Sequence, residues 1–73
     1  MARLANISGK QAARAFIRAG YTHTHTSGDH AILKKPNFPT LSIPLHKEVS
    51  PYLLKTQLKR AKLTEKEFRK LLR

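Results

Sequence analysis

Cysteine is missing from the 73 residues, and so is tryptophan. Without thiols the chain has no disulfides, no thiolate zinc site, no iron–sulfur ligands and no cysteine nucleophile. Acidic side chains are scarce, four Asp and Glu against fifteen Lys and Arg. Uninterrupted apolar stretches run to only a few residues, too few for a helix that crosses a membrane, and Met1-Ala2-Arg3 begins without the apolar core of a signal peptide. No GxxxxGK or GxGxxG run occurs, which excludes phosphate-loop chemistry. The lack of cysteine agrees with a reducing cytoplasm, the compartment we expect.

What is present suffices for one small domain covering residues 1–73. The chain is 40% hydrophobic and has ten leucines, enough for a core. The net charge is +11 with the histidines neutral, and the calculated pI is about 10.8. A surplus of that size makes a polyanion the expected partner.

The pattern along the chain predicts an α-β-β-β-α order with a short final helix. Ser8 followed by Gln11 reads as a capping box, and Gly20 as the stop after a first helix. Within it Ala12, Ala13, Phe16 and Ile17 form the expected core stripe, packed by Leu4 and Ile7, while Lys10, Arg14 and Arg18 line another face. Tyr21 to Thr26 alternates Thr with ring side chains, as a strand does. Ser27-Gly28-Asp29 is a turn, and His30 to Lys35 returns as the second strand of a hairpin. Its Ala31, Leu33 and Lys35 share one side, and His30, Ile32 and Lys34 the other. Thr40 to Ile43 is a third strand ended by Pro44. Ser50-Pro51 opens a second helix with Leu53, Leu54, Leu58 and Ala61 inward and Lys55, Lys59 and Lys62 as a basic stripe. Thr64 to Glu67 is a second capping box, leading into a last helix with Phe68, Leu71 and Leu72. Helices at both ends of a three-stranded antiparallel sheet imply a two-layer α+β fold. One sheet face is then covered and the other is open, a platform suited to RNA.

Several of these segments, taken in order, resemble one family. Gly28-Asp29-His30 followed by Ala31-Ile32-Leu33-Lys34-Lys35-Pro36 is similar to the Gly-Ser/Asp-His signature of the HicA toxins, small mRNA interferases of toxin–antitoxin pairs. Ile43-Pro44-Leu45-His46 resembles their Val-Pro-x-His segment, Leu54 to Leu63 their second helix, and Gly20-Tyr21 the step into their first strand. Asp29 stands where many members carry Ser, and Pro51-Tyr52-Leu53 where a Gly usually precedes a Thr-Leu. The resemblance implies a double-stranded-RNA-binding-domain-like fold, endoribonuclease activity through the signature histidine, here His30, and a HicB-type antitoxin as protein partner. It implies an RNA substrate, mRNA in particular; we expect no cofactor.

The chemistry of such an enzyme fits the residues. A ribonuclease that works without metal needs a proton acceptor beside the ribose 2′-OH and positive charge around the scissile phosphate. Imidazole titrates near neutrality and serves as base or acid. His30 opens a strand directly after a turn, and Lys34 lies on the same face. His30 then deprotonates the 2′-OH, or activates a water. Its bland alternative is a surface histidine at a hairpin. His46 is either a second acid/base or phosphate contact, or a loop histidine. Asp29 is either an orienting carboxylate or a turn residue. Lys34, Lys35, Lys47, Lys55 and Lys59 are the expected RNA contacts, against the alternative of solvated cations.

Tyr52 and Phe38 have the shape to stack bases, Phe38 equally to cap a local core. His23, His25 and His30 with Asp29 invite a metal reading, and His23 and His25, two apart in an alternating strand, fall on one face as ligands would; a hairpin pairing need not bring His30 to that face, and we expect no metal. Two rival functions stand beside the ribonuclease reading, and the first uses the same charge. One is a non-catalytic double-stranded-RNA-binding-like module or inactive family member. The other is a partner subunit that binds only protein, which predicts weak RNA binding with little salt dependence.

Overall fold

Each helix begins where a side chain can satisfy its first free amides. Ser8 accepts from the Gln11 amide and Gln11 returns the contact to the Ser8 amide, which starts α1 (Gly9–Arg18). Ser50 accepts from the Leu53 amide with Pro51 behind it, starting α2 (Pro51–Ala61). Thr64 and Glu67 repeat the reciprocal box at α3 (Glu65–Leu71). Between α1 and α2 run β1 (Thr22–Ser27), β2 (His30–Lys34) and β3 (Leu41–Pro44), antiparallel in the order β1-β2-β3. This computed structural model describes residues 4–72; the Met1-Ala2-Arg3 start and Arg73 lie outside the described residues. No helix among the described residues is long and apolar enough to cross a membrane.

The helices lie on the inner side of the sheet, and the core forms between the layers. β2 contributes Ala31 and Leu33, β3 Leu41 and Ile43, α1 Ala12, Ala15 and Phe16, and α2 Leu54, Leu58 and Ala61. Phe68 of α3 closes the assembly, fully buried, with its ring 5.1 Å from that of Phe16. The expected stripe of α1 is rotated. Ala15 is buried and Ile17 is 44% exposed, because Ala12, Ala15 and Phe16 point straight at the sheet and leave Ala13 and Ile17 on the flank. Gln57 is a polar residue that the pattern did not place inside, buried on α2 with its Oε1 unpaired among the described residues.

The strand faces follow the expected alternation in β2 but not in β1. His23 is paired with Leu33 and His25 with Ile32, so Thr24 is the extra residue of a β-bulge. Residues directly opposite each other share a face. His23 therefore lies on the inner side with Leu33 and His25 on the outer side with Ile32. The expectation of a single histidine face on β1 is corrected by the bulge.

The Thr64–Glu67 capping box makes stability depend on acid. The hydrogen bond from the Thr64 amide, with the Thr64 hydroxyl second, holds the Glu67 carboxyl below its ordinary range. A depressed folded-state pKa adds stability that is complete above the unfolded value and fades as pH falls through the folded one. We expect the difference in melting temperature between the wild type and Glu67→Gln to be constant at neutral pH and to shrink as the pH drops below the ordinary 4.5. Thermal melts across that range check it.

Candidate active site

The hairpin between β1 and β2 closes with two residues. Gly28 has φ 61 and Asp29 stays outside the left-handed region, as a turn with glycine first requires. The turn sets Asp29 at the end of the sheet, beside the place where β3 ends at Pro44. There the Leu45 amide donates to the Asp29 carbonyl at 2.6 Å, tying the β3 exit to the turn.

The next residue, His46, is held from the other side by α1. The Gly9 amide donates to the His46 carbonyl at 2.9 Å. This approach leaves no room for a side chain on the first residue of α1, since a Cβ on Gly9 would lie 2.0 Å from the Pro44 carbonyl oxygen. The segment before α1 completes the clamp, with the Val49 amide donating to the Ile7 carbonyl at 2.7 Å.

These constraints bring Asp29, His30 and His46 together. Asp29 Oδ1 lies 2.9 Å from His30 Nδ1, and Oδ2 lies 3.0 Å from His46 Nε2. The hydrogen bond from His46 is the main cause that holds the Asp29 carboxyl below the usual range; desolvation opposes it, and the neighbouring His30 ring adds to the lowering. An ionised carboxylate only accepts. The facing ring nitrogens therefore carry hydrogens, which leaves Nε2 of His30 and Nδ1 of His46 turned away from the carboxylate as the groups that can exchange protons. All three side chains are between 44% and 62% exposed, open to a large substrate.

His30 stands on the outer sheet face between Ser27 of β1 and Pro44 of β3. Exposed Lys34 shares that face further along β2, with Ile32 and His25 between. Lys47, exposed, follows His46 in the chain. The other cations expected around the site lie elsewhere. Lys35 donates to the Ala19 carbonyl at the end of α1 and sits 4.4 Å above the Phe38 ring, on the inner side. Lys55 and Lys59 border a shallow groove with Leu58, Leu63 and Glu65 in the helix layer, where Lys55 meets Glu65 at 4.0 Å. Phe38 is half-buried against the core beside Tyr21, and Tyr52 is 82% exposed at the start of α2. Among the described residues no group of three or more His, Asp or Glu is arranged to hold a metal ion.

Sequence reasoning named His30 and His46 but left Asp29 between two roles. The structure makes it both the turn residue and the carboxylate that joins the two imidazoles. The turn chemistry identified its place; its contact with a residue seventeen positions away is tertiary and had no local signal.

A basic α+β domain with an open sheet face and a carboxylate-bridged histidine pair at the sheet's end is thus the class that the fold and site define. Compared with protein families, residues 9–63 match that described as the HicA toxin of bacterial toxin–antitoxin systems. The match takes in every residue of the histidine cluster, and the chain belongs to the HicA toxin family. No curated protein matches it.

Proposed function

We propose that the chain is a metal-independent endoribonuclease, an mRNA interferase, with His30 as its general base, and that a HicB-type antitoxin inhibits it. The observation that carries the reading is Asp29 between two imidazoles at an exposed sheet end. His30 Nε2 takes the proton of a ribose 2′-OH. The 2′ oxygen attacks the adjacent phosphorus, the new O–P bond forms, and the bond from phosphorus to the 5′ oxygen breaks. Protonated His46 gives the leaving oxygen a proton from Nδ1. The products are a 2′,3′-cyclic phosphate and a 5′-hydroxyl, and each histidine ends in the other's starting state. Lys34 and Lys47 hold the negative charge of the RNA near the reacting phosphate.

The enzyme reading is tested by incubating the purified protein with a defined mRNA in the presence of chelator. Turnover supports it. Salt-sensitive binding with no cleavage would favour a non-catalytic RNA-binding module.

Asp29 acts through the imidazoles, and its substitution separates orientation from binding. Asp29→Asn keeps the size but offers one acceptor and one donor where the carboxylate offers two acceptors. One ring must turn or lose its partner. We expect kcat to fall roughly a hundredfold with KM nearly unchanged, and the pH–rate profile to change shape. Steady-state kinetics on a short RNA across pH check this; an unchanged profile would make Asp29 a turn residue alone.

A further inference from the structure

The rotated stripe of α1 and the bulge of β1 together leave a groove that the proposed chemistry does not use. It measures about 290 Å³ and runs between the flank of α1 and the inner side of the β1–β2 hairpin. Ala13, Ile17, Ala31 and Leu45 supply apolar lining, and Lys10, Arg14 and His23 polar or basic groups. Three large apolar residues are exposed among the described residues, and two of them, Ile17 at 44% and Leu45 at 36%, line this groove. Beside it β1 is an edge strand. No described strand pairs with its outer side, and all six of its residues are exposed. An unpaired edge presents a row of backbone donors and acceptors.

We propose that this groove and the free edge of β1 form the docking surface for an extended, acidic, apolar-anchored segment of the partner antitoxin. The inference rests on the toxin–antitoxin reading. A strand laid beside β1 satisfies the free backbone groups, and its alternate side chains reach the groove. Apolar ones meet Ile17, Ala13 and Leu45, and carboxylates meet Lys10 and Arg14. The charge selects the occupant. A second copy of this chain carries a net charge of +11 with only four acidic residues and is repelled. RNA supplies the negative charge but has no use for the apolar lining, and His30 and Lys34 face the other side of the sheet. The surface also reaches the catalytic end, because Leu45 precedes His46 and its amide binds the Asp29 carbonyl. A partner that fills the groove arrives beside His46 at the sheet end.

The test uses the product of the open reading frame adjacent to this chain's own, co-expressed and purified with it as the antitoxin candidate, and the variants Ile17→Glu and Arg14→Glu, both at exposed positions outside the histidine cluster. Affinity is read by calorimetry and folding by the amide spectrum. Each variant is expected to weaken the complex about 30-fold or more while cleaving RNA at close to the wild-type rate. Lys59→Glu, the same charge change as Arg14→Glu but in the other groove, is expected to stay within about threefold. An Asp or Glu to Arg change in the antitoxin segment should restore binding to Arg14→Glu. Undiminished affinity in both groove variants would overturn the docking surface and leave the toxin reading intact. Weakened RNA binding in those variants with antitoxin affinity unchanged would make the groove a nucleic-acid surface instead. If the wild type forms no complex at all, the toxin–antitoxin reading itself fails and the inference falls with it.

Discussion

His30→Ala should lose RNA cleavage by a factor of about 10²–10⁴ while binding RNA within about twofold of the wild type. The expectation follows from where His30 sits. It is the member of the cluster on the open sheet face, held by Asp29 through Nδ1, with Nε2 left for the substrate. Its ring adds little to the core, since it is half-exposed between Ser27 and Pro44, so the variant should melt close to the wild type. Binding depends on the +11 surplus, which one neutral imidazole does not change. Lys34→Ala should show the opposite pattern, weaker binding with a shallower salt slope and a smaller loss of kcat. Parallel turnover and filter-binding measurements distinguish the two. Equal residual cleavage by wild type and His30→Ala would assign the base to another group, with His46 the next to test.

The second large effect is on stability. Phe68→Ala should lower the melting temperature by roughly 12–40 °C. Removing a fully buried phenylalanine costs about 3–5 kcal/mol, and a domain of 73 residues has roughly 4–11 kcal/mol in all. Phe68 has no exposed surface, and its ring packs on Phe16, which in turn meets Tyr21 edge-on at 6.1 Å. Arg18 ties the same region by donating to the Leu71 carbonyl at 2.7 Å. Phe68 also lies beyond the residues 9–63 that match the family, yet the core needs it. Truncation after Leu63 is therefore expected to destabilise the protein at least as much as Phe68→Ala does. Circular dichroism melts of both variants check the prediction, and a cooperative transition within a few degrees of the wild type would contradict it.

Much of the fold was legible because local chemistry and tertiary packing agree. The Ser8–Gln11 and Thr64–Glu67 boxes and Ser50-Pro51 mark helix starts by hydrogen bonds made within four residues. Gly28-Asp29 marks the hairpin for the same reason. β2 was legible down to its faces because one of them is buried, which fixes register. β1 has no buried residue, so alternation of Thr and His could not reveal that Thr24 is bulged or that His23 and His25 part company. The rotation of α1 was hidden in a run of alanines, where Ala12, Ala13 and Ala15 differ in burial but not in kind.

Within the site, the two histidines were visible as residues suited to the chemistry, and their meeting was not. It needs the Leu45 amide on the Asp29 carbonyl and the Gly9 amide on the His46 carbonyl, contacts between parts of the chain far apart in sequence. Lys35 was expected as an RNA contact even though the alternation of β2 placed it on the side of Ala31 and Leu33. The pleat sends it to the inner side, where the end of α1 and the Phe38 ring occupy it.

The account turns on His30 withdrawing a proton from a ribose hydroxyl. The most direct measurement is cleavage, in chelator, of an RNA carrying a single 2′-deoxynucleotide immediately 5′ of the mapped cut, with analysis of the product ends. The account predicts 2′,3′-cyclic phosphate and 5′-hydroxyl ends from the all-ribose RNA and no cut at the deoxy position. Cleavage across the deoxy position, or products ending in 3′-hydroxyl and 5′-phosphate, would contradict it.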